Sequence, residues 1–165
     1  MSYDIYIGEP EIKYYPEEEY MKIGIKRETH PDAPDLGWGD ISGKGNSRHP
    51  GYCQMADWCR TVGLYDLFFD EESGLLRSHP GCRPLLPKHL EEVRQALKLW
   101  EEKNPGCKEK FPSEDKFPSN YKDLNYDEQT KIDEQFDWMY ARLVWYEFWF
   151  DWALKNCKMP SIKNG

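Results

Sequence analysis

Two groups of residues in this sequence have the types and spacing for binding chemistry. The first is Asn46-Ser47-Arg48-His49-Pro50-Gly51-Tyr52, which leads into a predicted helix. Free backbone N–H groups at a helix start favour anions. Arg48, His49 and Tyr52, with the Ser47 hydroxyl, are therefore candidate ligands for a phosphate or carboxylate. A helix cap with ordinary surface charge is the competing explanation. The second group surrounds Arg142. On a helix this residue falls among Trp138, Met139, Trp145, Tyr146 and Trp149. A buried guanidinium is costly unless paired. Arg142 is read either as one half of an internal ion pair or as an arginine in an aromatic wall. In the second case Arg142, Trp138, Trp145 and Tyr146 would hold an anionic or planar ligand by forked hydrogen bonds and stacking. If the two groups converge, the pocket suits a phosphate-bearing planar molecule.

Catalytic chemistry is poorly represented, and no catalytic residue is assigned. His49, Cys53, Cys59, His79 and Cys82 are zinc-ligand types, but their spacing fits neither Cys-x-x-Cys nor His-Glu-x-x-His. No metal and no cofactor are expected. A cysteine–histidine nucleophile pair has no local support. Gly37 to Gly45 looks like a phosphate loop but has Trp38 where glycine is needed. Gly45 also stands where a magnesium-binding hydroxyl belongs. His-Pro-Gly occurs at His49 and again at His79, as turn chemistry rather than a repeat.

These groups need elements to hold them. Phe136 to Leu154 contains four of the seven tryptophans, and as a helix it is apolar on most sides. Asp133, Asp137, Tyr140, Val144, Glu147, Asp151 and Lys155 form its one polar stripe. The stripe is either an interface or the wet side of the helix. The whole element is predicted from Asn125, an N-cap with Glu128 three residues on, to about Cys157. Shorter helices are predicted from Pro50 to Gly63 and from Pro87 to Asn104. Leu64 to Phe69 reads as a buried connection. Tyr3 to Ile7 and Met21 to Ile25 alternate as strands and are expected to pair, with a turn-rich link between them. Thr29 to Pro50 reads as a long loop. Lys108 to Asp123 reads as a surface linker, and Ser161 to Gly165 as a frayed tail. The expected fold is α+β: a small N-terminal antiparallel sheet on about three helices, the aromatic helix central, residues 1–165 forming a single domain.

At 165 residues the chain is long enough for a sizeable core. Its net charge of −8 argues against general nucleic-acid binding and fits a partner with a basic surface. Acidic residues break the apolar run, so a membrane span is not expected. Five cysteines, an odd number, and an opening Met1-Ser2-Tyr3-Asp4 without leader character point to reduced thiols in a cytoplasm.

MSYDIYIG, the segment GNSRHPGYCQMADWCRTVGLYDLFFDEESGLLRSHPGCRPL and the segment ARLVWYEFWFDWALKNCKMPSI together resemble small uncharacterised proteins of bacteriophages and prophages. The resemblance covers about two thirds of the chain and leaves Lys108 to Asp123 outside. It implies an accessory protein acting in the host bacterial cytoplasm, and it carries over no catalytic residue. The resulting expectation is a non-catalytic binding protein that inhibits a host component, either a defence protein or its nucleotide signal. The expected partner is thus a host protein or a phosphate-bearing small ligand. A small metal- or cysteine-dependent hydrolase and a virion structural or assembly protein are the alternatives.

Overall fold

The computed structural model, which describes residues 1–36 and 43–165, contains a four-stranded antiparallel sheet, a separate two-stranded one and five α-helices. The fold is α+β. The phosphate-loop look-alike and the middle of the Thr29 to Pro50 segment lie largely outside the described residues.

Strand β1 (Ile5–Gly8) turns Ile5 and Ile7 inward, both fully buried, and Tyr6 to the other face. This follows from the two-residue period of a strand. Strands β2 (Pro10–Tyr15) and β3 (Tyr20–Ile25) form a separate hairpin, joined by a 3-10 turn at Pro16–Glu18. The expected pairing of Tyr3–Ile7 with Met21–Ile25 is therefore wrong. The segment read as a turn, Pro10 to Tyr15, is itself the partner of β3. Gly8 explains how β1 ends and the hairpin departs. Its φ is +154°, and a Cβ there would lie 3.2 Å from Asn46 Nδ2 and 3.3 Å from Ile25 Cγ2. Only glycine combines that backbone with so close a neighbour.

Strand β4 (Ser47–Arg48) pairs with β1. Asn46, just before it, fastens three segments. Its Nδ2 donates to Ile7 O at 2.8 Å and to Lys26 O at 2.9 Å, and its Oδ1 accepts from Glu28 N at 3.0 Å.

Helix α1 (Tyr52–Val62) buries Met55, Trp58, Cys59 and Val62, a run at helical spacing, and Gly63 ends it at φ 79°. The LYDLFF stretch contains a short helix, α2 (Tyr65–Phe69), which buries Leu67 and Phe68. After β5 (Gly81–Pro84) comes α3 (Pro87–Lys103), with proline in its first turn as the sequence indicates.

The long aromatic helix is two helices. The capping box at Asn125 is present: Glu128 N donates to Asn125 Oδ1 at 2.9 Å, and Asn125 N to Glu128 Oε2 at 3.2 Å. But it opens only α4 (Tyr126–Asp133). Helix α5 (Trp138–Asn156) starts afresh at Asp137, whose carboxylate accepts from Tyr140 N at 2.9 Å and from Trp100 Nε1 at 2.8 Å. An aspartate bonded to a backbone N–H three residues on is an N-cap, and it starts a helix where the apolar pattern alone would continue one.

The tail expected to fray is strand β6 (Ser161–Asn164). It lies inside the four-stranded sheet of order β4-β1-β6-β5, paired with β1 on one side and β5 on the other. Its Ile162 is fully buried opposite Ile7. Helix α5 lies across this sheet and α3 packs along it, so it is central as expected. The acidic stripe is mostly an internal seam. Arg94 of α3 donates to Glu147 at 3.1 Å and to Asp151 at 3.0 Å, Tyr121 OH donates to Asp133 at 2.7 Å, and Asp137 holds Trp100. Lys108 to Asp123 has no long element, yet Phe117 packs on Phe136 with ring centres 4.8 Å apart.

Candidate functional site

Apart from Ser47 of β4, the seven residues singled out in the sequence occupy three places. Arg48, Trp145 and Tyr146 converge inside the core. Arg48 is 1% exposed, and its guanidinium carbon lies 5.4 Å from the ring centre of Trp145 and 5.2 Å from that of Tyr146. Arg142, one helical turn before them on α5, is also buried. The rings are closely packed: Tyr146 stacks on Trp58 at 5.0 Å and meets Phe68 edge-on at 5.2 Å. The indole N–H groups of Trp145 and Trp149 are buried and find no acceptor among the described residues. Cation–aromatic contact here is part of the packing.

His49 and Tyr52 lie elsewhere. His49 Nδ1 is 2.7 Å from Asp4 Oδ1. Tyr52 OH is 2.8 Å from His79 Nε2, and the other ring nitrogen of His79 meets Asn164 Oδ1 at 2.5 Å. Both nitrogens of His79 are thus used in tying α1 to β6. Trp138, the first residue of α5, donates to Asp133 O at 2.9 Å and lines a hollow of about 300 Å³ with Trp100, Lys110 and Phe136. Among the described residues no three His, Cys, Asp or Glu side chains gather in a metal-holding group.

The thiols have their own chemistry. Burial pushes Cys59 up to about 12, overcoming the opposing pull of Arg48 and Arg60. Cys157 is raised to about 11, chiefly by burial, and Cys82 and Cys107 are raised for the same first reason. A thiol held protonated near neutral pH is a poor nucleophile.

Two features outside this set are the most open to a ligand, and both involve the hairpin. Across β2 and β3, Ile12 opposes Ile23 and Tyr14 opposes Met21. These four share one face and are 53–70% exposed. The tip carries Glu17, Glu18 and Glu19, and just below it, on the other face, Tyr15 stacks flat on Tyr20 with ring centres 4.8 Å apart. The opposite face is different. There Lys13 directly opposes Lys22, and Glu11 opposes Gly24. With Arg27, Tyr6 of β1 and Lys163 of β6, this face encloses a cleft of about 370 Å³.

Sequence reasoning recognised the alternation of Met21, Ile23 and Ile25 against Lys22, Gly24 and Lys26. It could not show that the apolar set stays uncovered beyond Ile25, nor that Lys163 joins the basic set. Among the described residues no helix is long and apolar enough to cross a membrane. Comparison with protein-family models, with curated proteins and with solved structures returns no match.

Proposed function

We propose that this chain is a non-catalytic binding protein that blocks a host protein, a defence component in the phage setting its sequence resembles, and that it grips that partner with the β2–β3 hairpin. The observation that carries the reading is the exposed apolar face of Ile12, Tyr14, Met21 and Ile23. Soluble domains rarely leave such a contiguous face open without a use for it. Among the described residues neither β2 nor β3 pairs with a third strand. The occupant is a folded protein with an apolar patch bordered by basic residues. This complements the three glutamates at the tip and the overall charge of −8. The raised thiols of Cys59, Cys82, Cys107 and Cys157 weigh against the cysteine-hydrolase alternative.

The test uses wild type, Ile23→Asp and Lys22→Gln as baits in a bacterial lysate, followed by rebinding with the purified captured protein. The expected result is a protein held by wild type and Lys22→Gln, lost with Ile23→Asp, and bound more weakly as salt rises. Equal binding by all three baits would remove the apolar face from the reading. Self-association of the purified chain that Ile23→Asp abolishes would give the face to a second copy and overturn the proposal.

A further inference from the structure

The cleft on the other side of the hairpin has a charge that the rest of the chain does not predict. In a protein of net charge −8, its lining contains four cations, Lys13, Lys22, Arg27 and Lys163, against one carboxylate, Glu11. Lys13 lies 3.9 Å from Glu11, a loose exposed contact. Lys26, the other lysine of this segment, is engaged with Glu28 at 3.5 Å and does not line the cleft.

Three separate segments deliver the cations. Lys13 and Lys22 are directly opposed across β2 and β3, a like-charge pairing that destabilises a hairpin. Lys163 is opposite Tyr6 across β1 and β6. The Tyr6 ring orders the floor: the Arg27 guanidinium carbon is 6.0 Å from its centre, Lys163 Nζ 5.8 Å, and the His49 ring meets it edge-on at 6.1 Å. His49 is itself bonded to Asp4. The space beside Gly24 is open, since a Cβ there would meet nothing nearer than Glu11 Cγ at 4.0 Å. Opposed lysines on strand positions, an arginine just beyond β3 and an aromatic floor gather the donors that an anion needs.

From this geometry we infer that the cleft binds a compact small molecule carrying two or more linked phosphate groups. Its volume falls within the usual range for small-molecule sites. One phosphate would leave much of the positive charge uncompensated. A long polyanion would meet the acidic remainder of the surface as soon as it left the cleft. A short chain of phosphates engages the cations and avoids that repulsion. The site is on the opposite face of the hairpin from the apolar surface and stands independently of it.

Titration calorimetry at low salt with inorganic tripolyphosphate, orthophosphate and a single-stranded oligonucleotide decides the matter. The expected result is saturable one-site binding of tripolyphosphate, at least about tenfold tighter than orthophosphate, since each added charge pair near a surface contributes on this scale. Lys22→Gln and Lys163→Gln should each weaken it by roughly 5- to 10-fold without loss of thermal stability. Arg27→Lys should also weaken it, because lysine keeps the charge but not the fork. Ile23→Asp, on the other face, should leave it unchanged. Absence of binding at about 1 mM tripolyphosphate would overturn the assignment. So would undiminished binding by the lysine variants, or tighter binding of the oligonucleotide than of tripolyphosphate.

Discussion

The molecule sets cations against aromatic rings in two places, and the two are opposite in kind. Inside, Arg48 rests on Trp145 and Tyr146 beneath the sheet. Outside, Arg27 and Lys163 flank Tyr6 on the sheet's other face. Tyr6 sits between the buried Ile5 and Ile7 on one strand, so the inner and outer sites are separated by one strand's thickness. The inner contact is sealed by rings on several sides and holds helices to strands. The outer one is open and backed by two opposed lysines. The same residue types thus serve packing in one place and remain available to a ligand in the other. Burial decides which, more than identity does.

The contrast is broken most severely if the inner site admits solvent. Cys59 lies near Arg48 and reports on this. With its thiol pushed up from 9.0 to about 12, its thiolate fraction at neutral pH falls by roughly three orders of magnitude. Alkylation should therefore leave Cys59 untouched while exposed Cys53 reacts, with five free thiols appearing only on denaturation. A pKa higher in the folded state gives stability that is present below about pH 9 and is lost as pH rises toward 12. Rapid native alkylation of Cys59 would mean the inner site is open.

Truncating the wall is the next largest effect. Trp145→Ala should cost about 3–5 kcal/mol in urea unfolding, as expected for a fully buried indole. A loss below about 1 kcal/mol would contradict the packing described here. Asn46→Ala should follow, at about 2–3 kcal/mol, because it strips partners from Ile7 O, Lys26 O and Glu28 N. Amide exchange should then speed up at Glu28 before it does in the centre of α5. The smallest effect sharpens the outer side. Lys22→Gln should change stability by no more than about 0.5 kcal/mol, and upward, since it relieves the opposition with Lys13. A clear loss would show that the lysine is structural.

The helices were the most legible part of the sequence. Met55, Trp58, Cys59 and Val62 already carry the helical period, and Gly63 and Asn104 stand where the helices stop. A helix apolar on most sides has to bury its rings, and Trp145 and Trp149 of α5 are fully buried. The division between α4 and α5 was hidden because Asp137 breaks the helix by capping, with no proline or glycine to announce it. Strand β6 was hidden because Ser161-Ile162-Lys163-Asn164 is too short to show a period, and its pairing partners are remote in sequence. Of the candidate binding residues, Arg48 belonged to one group and Trp145 and Tyr146 to the other, with their convergence left open; the structure brings these three together. Nothing local told whether their meeting place was wet or dry. The basic cleft was the least legible feature, since Lys13, Lys22, Arg27 and Lys163 become one group only through the register of two different sheets.

That remote pairing of β6 has a kinetic consequence. β1 carries two fully apolar inward side chains, yet its main neighbour β6 is reached only after all five helices have intervened in the sequence. Closing so long a loop is slow, and a topology weighted toward distant contacts folds late. Until that loop closes, the Ile5–Gly8 ribbon lacks this mate and can stick to other partly folded chains. Refolding should show a slow step in which the native ribbon closes, and a short added peptide with the sequence Ser-Ile-Lys-Asn should compete for it.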